Sequence, residues 1–254
     1  MKMRFTTIAV LFIAILFSVS LFAQDMKPEA GKLYNAGNRM LKAGNYSGAI
    51  TDYDKALKIN EDYRIYYQRG VALKKTHKYK EAKNSFELCK KLKPNFSPVY
   101  NALGGIEFAL KNYKAAAQNF EHVLLTSKKN NVKNKVKRNL SLAYTKLGER
   151  AFRGGKTKKA LKYLNKAVQN KNYDAAYLIL AKIYNTLGNW NKSLNAAQKA
   201  LKYRSRISRG GPYFYMGVAY KNEGNIAKAK KMFRLARKDA SYRRTANYEL
   251  TLLN

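Results

Sequence analysis

Tyr100-Asn101-Ala102-Leu103-Gly104-Gly105-Ile106-Glu107-Phe108-Ala109-Leu110-Lys111-Asn112-Tyr113-Lys114-Ala115-Ala116-Ala117-Gln118-Asn119-Phe120 reads as two amphipathic helices around a short polar turn. Gly104 is the small residue of the first helix, and Lys111-Asn112-Tyr113 is the turn. Ala116 is the small residue of the second helix, Phe120 the large one, and Val123 a slim one a turn later. The same arrangement surrounds Gly44-Asn45-Tyr46, His77-Lys78-Tyr79, Gly155-Lys156-Thr157, Gly188-Asn189-Trp190 and Gly224-Asn225-Ile226. Before these turns stand Gly37, Gly70, Gly148, Ala181 and Gly217; after them come Ala49, Ala82, Ala160, Ser193 and Ala229. The large position holds Tyr53, Phe86, Leu164, Ala197 and Phe233, followed by Ala56, Cys89, Ala167, Ala200 and Ala236. A return of about 34 residues is the mark of stacked units.

A small residue on each helix lets two backbones approach, and the large residue fills the gap toward the next unit. No unit can bury its own apolar face, so the stack itself is the core. Leucine at Gly104 should overpack that contact at a cost of roughly 1–3 kcal/mol. Pro28, Pro94, Pro98 and Pro212 fall at expected helix starts or connectors, where a missing N–H does least harm. Cys89 occupies a small-residue position and is expected in the core; a lone cysteine makes no intramolecular disulfide.

The spacing predicts an all-α chain of six helix-turn-helix units near residues 30–62, 63–96, 97–128, 141–173, 174–207 and 210–241. The step from Ala116 to Ala160 is about ten residues too long. Val132, Val136, Leu140, Ala143, Leu147 and Ala151 keep a helical spacing through it. Residues 129–140 are therefore read as lengthening the first helix of unit four, from about Val132 to Arg153; a loop is the alternative. Gly210-Gly211 is read as a looser joint. Residues 242–254, with Tyr242, Ala246, Leu250 and Leu253 on one face, are read as a capping helix rather than a partner-binding tail.

The pattern resembles the tetratricopeptide repeat family. Unit three carries Tyr100, Leu103, Gly104, Ala116 and Phe120; unit two carries Tyr66, Gly70, Ala82, Phe86 and Pro94; unit five carries Tyr177, Leu180, Tyr184 and Ala200. Ser193 and Ala197 depart from it, and Pro94 alone fills the proline position. The resemblance covers about residues 30–243. It implies a right-handed α-solenoid, one domain over 24–254, whose first helices line a concave groove that binds partner proteins. On that face it places Tyr34, Asn38, Tyr67, Gln68, Val71 and Lys74 in the first half. Asn101, Phe108, Thr145, Glu149 and Phe152 follow, then Lys182, Asn185, Phe214 and Tyr215. Aromatic and amide groups interleaved in this way suit an extended peptide or a partner helix. Packing of Phe108, Phe152 and Phe214 against neighbouring first helices is the alternative. One subclass of the family clamps chaperone C-terminal carboxylates with Lys, Asn and Arg. Here those positions hold Tyr34, Asn38, Gln68, Pro98 and Ala102, so that ligand is not expected.

Residues 1–23 read differently. Lys2 and Arg4 precede an apolar run from Ile8 to Phe17 and a small-residue site ending at Ala23, the pattern of a secretory signal peptide. An uncleaved anchor is the alternative. Either way the rest is expected outside the cytoplasm, in the periplasm or envelope or secreted. The net charge is +36, from 51 Lys+Arg against 15 Asp+Glu. Residues 128–162 hold 13 bases against Glu149. Lys133, Lys135, Lys137 and Arg138, then Lys156, Lys158, Lys159 and Lys162, then Arg204, Arg206 and Arg209, are read as an anion-binding flank. A solvated outer face or a compositional bias is the bland alternative. An anionic envelope polymer or membrane is the expected counterpart, and no nucleic-acid motif accompanies the charge. His77 and His122 stand in different units, no cysteine cluster exists, and Asp52 and Asp54 point to different helix faces. No metal, cofactor or catalytic set is expected. The expectation is a binding scaffold, with electrostatic capture of an anionic surface as the alternative.

Overall fold

The computed structural model describes residues 26–253; the signal or anchor reading of residues 1–23 lies outside them. The described residues form thirteen α-helices and no strand. Six hairpins follow one another: α1 (Pro28–Lys42) with α2 (Tyr46–Ile59), α3 (Tyr63–Lys75) with α4 (Tyr79–Leu92), and α5 (Ser97–Ala109) with α6 (Tyr113–Thr126). Then come α7 (Asn130–Arg153) with α8 (Thr157–Asn170), α9 (Asp174–Thr186) with α10 (Trp190–Lys202), and α11 (Gly210–Asn222) with α12 (Ile226–Ala236). α13 (Ala240–Thr251) closes the array. Each helix packs on the next, and each first helix also meets the next first helix. Successive second helices do not meet. The stack therefore bends toward its first helices, which line the concave face.

The hairpins close by one repeated contact. A Cβ on Gly37, Gly70, Gly104 or Gly217 would lie 2.5–2.6 Å from the ring of Tyr53, Phe86, Phe120 or Phe233, and on Gly148 2.6 Å from Leu164. Those large side chains are fully buried. Unit five replaces the ring by hydrogen bonds. Ala181 and Ala197, both buried, hold the two positions there, and Ser193 Oγ donates to the Ala181 carbonyl at 2.9 Å. Asn185 Nδ2 donates to Ser193 Oγ at 2.6 Å and to the Tyr215 carbonyl at 3.0 Å, tying unit five to unit six. Every turn opens on a left-handed residue; at His77 (φ 61°) and Lys111 (φ 62°) this residue is not glycine. Burial pushes the Cys89 thiol up to about 12, so it stays protonated in the core.

α7 begins at Asn130, and the added residues lengthen it: Val136 and Leu140 are buried and Val132 packs beside them. The reading of Gly210-Gly211 as a looser joint is corrected. Both are buried in the first turn of α11. Gly210 N–H donates to Asp239 Oδ2 at 3.3 Å, and a Cβ on Gly210 would lie 2.3 Å from Asp239. A Cβ on Gly211 would lie 2.8 Å from the Tyr242 hydroxyl. These glycines are small because the cap presses on them. Tyr242, Leu250 and Leu253 pack around buried Ala246 on that side of α13.

Candidate functional site: the concave face

On α3, the ring of Tyr67 stands 5.7 Å from Phe86 and edge-on to Phe96 at 5.2 Å. Burial raises its phenol above the ordinary range. Tyr67 is thus a core residue whose remaining surface faces the groove. Val71 and Lys74 continue its face, and Asn101 and Ala102 of α5 stand opposite. Together they enclose a cleft of about 490 Å³, closed at one end by His77 and Tyr79. Lys74 and Asn101 are exposed, with polar heads free to meet a ligand. Phe108 leans on Tyr113 at 5.2 Å, and Gln68 is half-buried beside Tyr67. At the array's start, Asn38 Oδ1 accepts the Tyr53 hydroxyl at 2.8 Å, and Tyr34 tilts against the same ring.

Beyond unit three the expected face divides. Phe152 carries Lys182 Nζ 5.7 Å over its ring, and both reach solvent. Glu149 is held between Lys146, at 3.0 Å, and Arg153. Burial alone would raise its carboxyl, but the two bases carry it below the ordinary carboxylate range. Thr145 is corrected as a groove residue: it is buried, and its hydroxyl donates to the Ser141 carbonyl at 2.7 Å within α7. Asn185 spends its amide N–H groups on the joint described above, while its buried Oδ1 has no partner among the described residues. Phe214 sits among Tyr215, Phe233 and Tyr242 at 5.5–5.7 Å, and the Tyr215 hydroxyl is raised by burial beside Tyr242. At these positions packing uses the aromatic surface.

Three repeat models match this sequence: one described as a TPR repeat over residues 37–76, and two described as tetratricopeptide repeats over 63–96 and 213–240. The chain is a tetratricopeptide repeat protein. Among curated relatives of this repeat protein, the Hsp70-Hsp90 organizing protein of Triticum aestivum is 31% identical over 86 residues, which are 34% of this chain and 15% of the relative. Heat shock protein STI1 of Saccharomyces cerevisiae is 28% identical over 101 residues, 39% of this chain and 17% of that one. The matched segment thus spans under a fifth of these relatives. Among solved structures, YrrB, described as a TPR protein with an unusual peptide-binding site, superposes with a TM-score of 0.52 at 20% identity over 77% of this chain and 97% of its own. Pseudomonas aeruginosa PilF gives 0.51 at 15% identity over 87% and 97%. At such identities the likeness is one of fold.

The basic residues lie elsewhere on this repeat protein. Lys135, Lys137 and Arg138 are exposed on the added turns of α7, and Lys133 is half-buried there. Lys156, Lys158, Lys159 and Lys162 are exposed at the start of α8, and Arg204, Arg206 and Arg209 in the segment before α11. Three acids, by contrast, are turned inward. Glu107 is buried between Lys83, at 2.7 Å, and Asn112, at 2.9 Å. Asp62 is buried and grips Arg64 by two bonds, Nε to Oδ1 at 2.9 Å and Nη2 to Oδ2 at 2.6 Å. Asp174, fully buried at the start of α9, accepts the N–H groups of Ser205 (2.6 Å), Arg206 (2.7 Å) and Ile207 (3.2 Å), and that of Ala175 at its other oxygen. The sequence reading missed this carboxylate. Apart from Ala175 its partners lie over thirty residues away, and all but the Ser205 hydroxyl are backbone groups, which leave no side-chain signature.

Proposed function

We propose that this repeat protein is a non-enzymatic, exported scaffold that holds an extended segment of a partner protein against its concave face. The cleft where Tyr67, Val71 and Lys74 meet Asn101 carries this reading. An apolar wall with a few convergent polar heads is the usual make-up of a recognition site. The name of one matched relative, an Hsp70-Hsp90 organizing protein, supports protein binding as the general role. The partner is not a chaperone tail in this reading, because Pro98 and Ala102 stand where a cationic clamp would need its bases. Export is read from residues 1–23, and N-terminal sequencing of the protein recovered from cells is expected to begin at Gln24. A mature chain retaining Met1 would replace cleavage by anchorage.

A second reading is favoured by one observation: Lys135, Lys137, Arg138, Lys156, Lys158, Lys159 and Lys162 are exposed and form no ion pair among the described residues. This part of the outer surface is strongly basic. Near an anionic membrane each exposed Lys or Arg contributes about 1 kcal/mol, so the flank would seat the scaffold at an anionic envelope surface or polymer. One experiment separates the readings. A photo-crosslinking side chain is placed at Asn101, in the cleft, or at Asn134, on the basic flank, and cells are irradiated and lysed at low and high salt. Protein adducts from position 101 that persist in high salt are expected. Adducts from position 134 alone, lost in high salt, would replace the groove by the flank, because exposed charges are screened.

A further inference from the structure

A second recess lies on the opposite face, between α8 and α10, with α9 as its floor. It encloses about 400 Å³ over Tyr177, Leu180 and Tyr184. Small Ala196 leaves the room. Lys192 Nζ stands 5.8 Å from the Tyr184 ring centre and Lys199 Nζ 5.9 Å from that of Tyr177. Asn165, Asn191 and Asn195 bring exposed amides to its rim, and among the described residues no carboxylate lines it.

The preceding joint explains what is missing. There Tyr144 donates its hydroxyl to Glu121, and Lys166 Nζ donates to the same hydroxyl at 3.1 Å while standing 3.8 Å from Glu121 and 5.0 Å over the Tyr144 ring. Acid, tyrosine and lysine form a closed set. One unit later the matching positions are Asn165, Tyr177 and Lys199. A lysine again lies over the tyrosine ring, Lys199 Nζ at 5.9 Å from Tyr177, but the Tyr177 hydroxyl donates to Asn172 Oδ1 at 2.7 Å, and the acid has become a neutral amide. The change belongs to a trend. Ten residues after each left-handed turn residue stand Asp54, Glu87, Glu121, Asn165, Gln198 and Arg234. The first three pair internally, with Arg69 at 2.5 Å, Lys90 at 2.5 Å and the Tyr144–Lys166 set. Among the described residues Lys192 and Lys199 form no ion pair.

We propose that this convex recess of unit five binds an acidic peptide segment, one of whose Asp or Glu carboxylates takes the place that Glu121 fills in the preceding joint. The occupant replaces a glutamate side chain, so a carboxylate on a short arm fits. The three asparagine amides each carry donors and an acceptor, which match peptide N–H and C=O groups. Both bases are lysines; the arginine fork that suits phosphate is absent from the recess. The proposal is independent of the concave reading.

The test is fluorescence anisotropy with a labelled Gly/Ser peptide carrying four glutamates, and with its all-glutamine counterpart. The wild-type protein is expected to bind the first and not the second. Asn165→Glu restores the internal acid and is expected to weaken binding about tenfold, the effect of one charge-assisted hydrogen bond. Lys199→Gln is expected to do the same. Asn84→Glu, the same charge change on the outer face of unit two, and Lys74→Ala, in the concave cleft, are expected to leave binding unchanged. Asn165 is exposed, so circular dichroism should show every variant folded. Equal binding of the two peptides, or an undiminished affinity in Asn165→Glu, overturns the proposal. So does an equal loss in Asn84→Glu, which would make the effect one of bulk charge, or in Lys74→Ala, which would place the peptide in the groove. Phosphatidylglycerol vesicles whose binding falls tenfold in Asn165→Glu, with the glutamate peptide unaffected, would assign the recess to a lipid headgroup instead.

Discussion

Gly104→Leu lowers the urea midpoint of the array, by an amount equivalent to about 2 kcal/mol. The ring of Phe120 lies 2.5 Å from where the new Cβ would stand, and Phe120 is buried on every side. Overpacking of this kind costs up to about 3 kcal/mol. Removing a glycine from a helix interior returns about 1 kcal/mol. Phe120→Ala alone opens a cavity and costs about 3–5 kcal/mol. The double variant Gly104→Ala with Phe120→Ala reproduces the Ala181–Ala197 pair of unit five and should cost less than the two single changes summed. Strict additivity in that cycle would show that the two residues do not press on each other.

Asp174→Ala carries the second large effect, about 3 kcal/mol, because three N–H donors of residues 205–207 lose a buried, charged acceptor at once. Trypsin should then cut at Arg204 and Arg206 while the rest of the array resists. Unchanged urea unfolding together with unchanged cleavage would refute this role. The pH dependence follows. Burial would raise the Asp174 carboxyl, but the N–H groups of Arg206, Ser205, Ile207 and Ala175 outweigh it and hold the group below the ordinary carboxylate range. Its contribution is therefore complete above about pH 4, the unfolded value. It is lost as pH falls through the lower folded value. The alanine variant should lack this part of the acid limb.

The hairpins were legible because each closure joins two residues at fixed spacing, as Gly70 to Phe86 and Gly104 to Phe120. The turns were legible for the same reason: Gly44, His77 and Lys111 stand at one register, and a shared backbone conformation follows. The groove was legible only in part. Periodicity says which way Tyr67 and Thr145 point from their helices. It does not say that Phe96 covers one and that the other is buried with its hydroxyl on the Ser141 carbonyl, one turn earlier in α7. Asn185 was misread because an amide that ties two units has the same sequence appearance as one awaiting a ligand. Gly210 and Gly211 were misread as freedom, when they mark crowding by Asp239 and Tyr242.

Among the described residues, packing runs only between helices one or two places apart. Such a body behaves mechanically as a coil spring rather than a pebble. Its compliance adds joint by joint, and a pull on either end is shared along the whole length. Damage at one link stays local, so the ends can fray while the middle keeps its curvature.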